Sequence, residues 1–92
     1  MKVRVKAIGT MMDYLGEETI DIHLTDGATL QNLFEYFDTH LSSLIPAFLW
    51  NKRKRQFRGP VVVTIDQTVV RNLKTPLKNG QEIQLVKAIV GG

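Results

Sequence analysis

The chemistry this chain can offer of its own lies in its last two residues, Gly91-Gly92. Read as a bare dipeptide they fit a frayed tail. They fit equally an end without side chains that threads into a narrow active site and presents the α-carboxylate of Gly92. That carboxylate, with an ordinary pKa of about 3.5, is ionised at neutral pH and is a poor electrophile. It needs a partner that uses ATP. An acyl-adenylate on Gly92 supplies a leaving group, and a sulfur donor can then attack and leave a thiocarboxylate there. The remaining residue types add nothing of this kind. The absence of cysteine excludes disulfides, iron–sulfur ligation, thiolate–zinc sites and a cysteine nucleophile. His23 and His40 have no metal-ligand company in the sequence, and Asp13, Glu17 and Glu18 read as a solvated acidic corner without a paired acid or base. No metal and no bound cofactor are expected, ATP belonging to the activating partner.

A second feature is the basic run Lys52, Arg53, Lys54, Arg55 and Arg58, which holds five of the twelve basic residues; without it the net charge of +3 would become −2. Most such runs are solvated loops. With Trp50 and Phe57 nearby it could also neutralise phosphates and stack bases, although the small net charge and lack of an RNA-binding motif disfavour nucleic acid. A third reading is a docking loop for an acidic partner surface.

The elements that would position these features follow from periodicity. Lys2 to Ile8 alternates apolar and charged residues, the signature of a strand with one wet face. Residues 9–16 read as a broad loop with glycine at both ends, and 19–24 alternate again, giving an antiparallel pair. Asp26-Gly27 marks a turn and Thr29 an N-cap. Residues 30–41 then place Leu30, Leu33, Phe34, Phe37 and Leu41 on one helical stripe. Residues 42–59 read as a connector with a short helical turn followed by an exposed loop. Residues 60–65 are β-branched almost throughout and suit a central strand, with proline first. A short edge strand at 68–70, a turn at Lys78-Asn79-Gly80 and a last strand at 82–86 complete five strands and one main helix. The expected class is α+β: a mixed sheet of four to five strands packed on one helix, the first and last strands parallel at its centre. Ninety-two residues make one domain, 1–92, with a flexible tail at about 88–92. No apolar run approaches the roughly 20 residues a spanning helix needs, so a soluble, cytoplasmic protein is expected.

Across nearly its whole length the chain resembles the ubiquitin-like sulfur carriers, above all the small subunit of molybdopterin synthase. The likeness rests on the opening strand, Met11-Met12-Asp13-Tyr14-Leu15-Gly16, the capped helix after Asp26-Gly27, and the stretch from Val63 to Val70. It extends through Thr75-Pro76-Leu77-Lys78-Asn79-Gly80-Gln81-Glu82-Ile83 and the closing Gly91-Gly92. The resemblance implies a β-grasp (ubiquitin-like) fold and a cosubstrate, not a catalyst on its own. An adenylating enzyme resembling the ubiquitin activators would adenylate Gly92, a sulfur donor would load it, and the molybdopterin synthase large subunit would receive the tail. By position Ile8, Val86 and Ile89 match family contacts to those partners. The resemblance implies that Lys87, Ala88 and Val90 would complete the partner-binding set and that Gly91 would thread the active site. Met12 stands where the family usually has Arg, and Lys87-Ala88 where molybdopterin carriers commonly have Pro-Pro. The tail is somewhat closer to the thiamine sulfur carrier, whereas the first loop and residues 42–59 fit that shorter protein poorly. The resemblance thus favours the molybdopterin type over a carrier for thiamine or another sulfur pathway, or a modifier joined to lysines through Gly92.

Overall fold

The computed structural model describes residues 1–88. Strand β1 (Lys2–Ile8) follows its alternation, burying Val3, Val5 and Ala7 and turning Lys2 and Arg4 to solvent. It pairs antiparallel with β2 (Thr19–His23). The connection between them is not the loop its glycines suggest but a short helix, α1 (Thr10–Leu15). The two glycines bracket it: Gly9, at φ 60°, turns the chain in, and Gly16, at φ 78°, ends it with an N–H donated to the Met12 carbonyl at 2.8 Å. Only Met11 and Leu15, four residues apart, are buried on α1, too short a stripe to register as a period.

Helix α2 (Leu30–His40) starts at the expected cap, where Thr29 and Asn32 form a capping box and the Thr29 N–H donates to Asn32 Oδ1 at 2.8 Å. Leu30, Leu33, Phe34 and Phe37 are buried as its spacing predicts, each side chain contributing about 1.5–3 kcal/mol when fully removed from water. A 3-10 turn (Ser42–Leu44) follows. The expected exposed loop is instead a small antiparallel hairpin, β3 (Trp50–Asn51) with β4 (Gln56–Phe57). The last strands are β5 (Val61–Ile65), β6 (Thr68–Val69) and β7 (Glu82–Lys87).

The main sheet runs β2-β1-β7-β5-β6. β1 and β7 are parallel, with Arg4 opposite Glu82 and Ile8 opposite Val86, as expected; every other pairing in the sheet is antiparallel. β7 is the middle strand, and β5, read from its β-branched run as a central strand, is flanked on both sides, by β7 and β6. The Asn79-Gly80 turn sets the parallel register: Gly80, at φ 84°, donates its N–H to the Lys2 carbonyl at 2.8 Å, while Asn79 Oδ1 accepts the Lys2 N–H at 2.8 Å. One face of the sheet packs with α2 and the connector into a single core that includes Val5, Phe37, Leu49, Ile83 and Leu85. This is the β-grasp arrangement. Among the described residues no helix is long and apolar enough to cross a membrane.

Candidate functional site

The face of the sheet away from the core is built by the outward residues of its strands. On β1 these are Lys2, Arg4, Lys6 and Ile8, so the run of cations breaks to an aliphatic residue at the strand's end. Ile8 lies opposite Val86 of β7, and Val86 lies opposite Val62 of β5. Three half-buried aliphatic side chains on three adjacent strands thus form one row. The next row is Lys6, Gln84 and Thr64, and the one after it begins with Arg4 and Glu82. Arg4 Nε reaches Asp21 Oδ1 at 3.2 Å and Lys2 Nζ reaches Asp21 Oδ2 at 3.8 Å. The open face is therefore polar at one end and apolar at the other, an arrangement that favours protein contact at the apolar end. Ile8 and Val86 were named from the sequence. Val62 was missed, because an unbroken β-branched strand does not reveal which residues face outward.

The same end of β7 leads to the last described residue, Ala88. The antiparallel ladder with β5 continues one step past Lys87, the Ala88 N–H donating to the Pro60 carbonyl at 2.6 Å. Proline has no N–H to return, so that pair makes one bond instead of two. Lys87 lies on the core side of the sheet, its Nζ 5.3 Å from the ring centroid of Phe48, a residue 55% exposed. Lys87 and Ala88 are thus fixed two residues beyond the apolar row at most. Ile89, Val90, Gly91 and Gly92 lie outside the described residues.

The basic run occupies a different place. It forms the turn of the β3–β4 hairpin, where Asn51 Oδ1 accepts the Lys54 N–H at 3.0 Å and Arg55 adopts φ 52°. The hairpin packs on α2 through four aromatic rings: Trp50 and Phe57 meet edge to face at 4.8 Å between centroids, and Phe57 meets Phe34 at 5.3 Å and Phe37 at 5.7 Å. Asp38 on α2 is a second anchor, accepting the Trp50 indole N–H at 3.1 Å on Oδ1 and lying 3.6 Å from Arg55 Nε through Oδ2. Arg58 Nε donates to the Ala47 carbonyl at 2.9 Å. Lys52, Arg53 and Lys54 are exposed and have no acidic partner among the described residues. Trp50 is only 4% exposed, so the aromatic rings that the sequence offered for base stacking are engaged in the core instead. The fold does not bring the two features together: the apolar row lies on the open face and the hairpin on the helix face.

The minor candidates stay apart. His23 and His40 are both exposed, the His40 ring lying 4.4 Å from that of Tyr36, and Asp13, Glu17 and Glu18 are exposed around α1. Among the described residues no cluster of His, Asp or Glu could hold a metal ion.

Comparison with known proteins places this geometry. The sequence model of the ThiS family matches residues 5–92. No curated protein sequence gives a significant match. SAMP1 from Haloferax volcanii superposes with a TM-score of 0.82 at 14% identity, each chain covered in full. A chain from the complex of subunits 1 and 2 of molybdopterin-converting factor from Helicobacter pylori gives 0.67 at 24% identity, again with both chains fully covered. Urm1 from Trypanosoma brucei gives 0.76 at 14% identity over 99% of this chain and 95% of its own. The chain belongs to the ThiS family and has the fold of the ubiquitin-like sulfur carriers and modifiers.

Proposed function

We propose that this protein is a sulfur carrier of the molybdopterin type, the small subunit of a molybdopterin synthase, whose Gly92 carries the sulfur. The observation that carries the reading is the union of two features on one strand: Val86 sits in the apolar row, and two residues later Ala88, held to the Pro60 carbonyl, is the root of the last four residues. A partner that covers the row meets the tail at its root, and four further residues extend at most about 14 Å into its active site. The choice of pathway is supported by the Helicobacter pylori relative, which is held in a complex of subunits 1 and 2 of molybdopterin-converting factor.

The chemistry begins on the activating partner. A Gly92 carboxylate oxygen attacks the α-phosphorus of ATP and pyrophosphate leaves. A sulfide equivalent then attacks the acyl carbon and AMP leaves, giving the thiocarboxylate. The domain supplies no acid or base to these steps; it supplies a rigid platform for docking and an end slim enough to enter.

The test uses the absence of cysteine. The protein is incubated with ATP, sulfide and an adenylating enzyme of the same organism, treated with a thiol-alkylating reagent and weighed intact. An ATP-dependent adduct mapped to Gly92 is expected, which oxidation of methionine cannot mimic. Deleting Gly92 should abolish the adduct while leaving the melting temperature unchanged, and an adduct that survives the deletion would sink the proposal. Adding the large subunit and the pterin precursor then tests the pathway, since a loaded carrier of this type should give dithiolene product. A modifier role is the second reading, favoured by the likeness to the small archaeal modifier protein 1 of Haloferax volcanii. Gly92–lysine isopeptides in cell extracts without dithiolene formation would select it.

A further inference from the structure

The opposite edge of the sheet carries a groove of about 490 Å³ that meets the apolar row only at Val62. Its apolar lining includes Leu30, Phe34, Phe57 and Leu73, its charged residues are Arg58 and Arg71, and no acidic side chain lines it. Val69, also part of the lining, is 52% exposed. One wall is the outer edge of β5. The Pro60 carbonyl accepts the Ala88 N–H and the Glu82 carbonyl accepts the Asp66 N–H, so even-numbered residues here bond toward β7 and Val61 and Val63 point their main-chain groups away from it. Two of those four groups are taken. The Val61 N–H donates to the Arg58 carbonyl at 3.0 Å, and the Val63 carbonyl accepts from the Val70 N–H at 2.9 Å. Beyond Val70 the chain leaves β5 for the start of α2, where the Leu73 carbonyl accepts the Gln31 N–H at 2.9 Å. The Val61 carbonyl and the Val63 N–H are left at the groove with no partner among the described residues.

A main-chain acceptor and donor two residues apart on one strand edge are the pattern that a single extended residue, running parallel to that strand, satisfies with its own N–H and C=O. We propose that this edge is a second docking site, which takes an extended segment of a partner protein carrying alternating aliphatic side chains flanked by carboxylates. The main chain of the segment adds to β5 between Val61 and Val63, its aliphatic side chains enter the groove, and its carboxylates meet Arg58 and Arg71. Charge complementarity selects an acidic segment, since Arg58 and Arg71 are the charged residues of the lining and no carboxylate is among them. The site borders the apolar row at Val62 but does not depend on the sulfur-loading reading.

The test is a titration of the full-length, ¹⁵N-labelled protein with the capped peptide acetyl-Asp-Val-Ile-Val-Glu-Glu-amide, followed by amide chemical shifts. Saturable shifts at Val63, Val70 and Arg71 are expected, largest for the Val63 N–H as it gains an acceptor, with Ile8 and Val86 unmoved. Arg71→Glu, an exposed side chain whose change should leave the spectrum dispersed, should weaken binding about tenfold or more, as should lysine in place of the peptide's acids. N-methylation of the peptide isoleucine should do the same by removing the main-chain donor. Absence of shifts, shifts confined to Lys52–Lys54 or to the Ile8–Val86 row, or equal binding by Arg71→Glu would each overturn the proposal. So would decanoate moving the groove amides when the peptide does not, which would assign the groove to small apolar carboxylates.

Discussion

The apolar row on the open face and the basic hairpin on the helix face are both surfaces that face outward, yet they are held by different parts of the chain. Ile8, Val62 and Val86 are aligned by the main-chain registers of β1, β5 and β7, and the strands would keep their register with other side chains in the row. The hairpin has two-residue strands and is placed by side chains: the Trp50 and Phe57 rings against Phe34 and Phe37, and Asp38 beneath both Trp50 and Arg55. Substitutions in the row should therefore change binding and spare the fold. Those at the hairpin's anchors should change the fold, and those at its cations should change only encounter rates.

The largest effect is expected from Val86→Asp, which puts a carboxylate in the middle of the row. Affinity for the adenylating enzyme or large subunit, measured by calorimetry, should fall about 100-fold, about 2.8 kcal/mol, with the melting transition still cooperative. Near-normal affinity would remove the row from the interface. Asp38→Ala comes next: it leaves the Trp50 indole N–H without its acceptor inside the protein and should cost about 2 kcal/mol in urea denaturation, without weakening partner binding at the row. A loss below about 0.5 kcal/mol, the scale of a surface ion pair alone, would mean that the rings hold the hairpin unaided. The smallest effect is that of reversing Lys52, Arg53 and Lys54 to Glu together. Stability should not change, while the association rate with an acidic partner should drop about tenfold at low salt and converge with the unmodified protein at high salt. A salt-independent rate would leave the hairpin without a docking role.

The same division explains what was legible in the sequence. β1 and α2 were readable because each carries its own period: charged residues alternate with Val3, Val5 and Ala7 in one, and Leu30, Leu33, Phe34 and Phe37 form a stripe in the other. The parallel pairing of the first and last strands followed from element order and family resemblance. The hairpin was not readable, since a turn of four cations reads as solvated loop and the rings that hold it come from a helix twelve or more residues earlier. α1 was missed because its buried side is two residues, Met11 and Leu15. Val62 was missed because Val61, Val62 and Val63 are identical in type although Val62 faces away from the other two, a distinction made only by pairing with β7. The position of the row at the root of the tail needed both registers, which no local pattern contains.

The central place of β7 has a consequence for how the protein is made. It is the last of the described strands to leave the ribosome, and both of its neighbours, β1 and β5, wait for it with open edges. A nascent chain halted before Glu82 has every other strand but no middle, so its sheet cannot close and its edges stay open to aggregation and proteolysis. Completion of the sheet is thereby tied to translation through Lys87: a molecule whose sheet has closed has been translated at least that far.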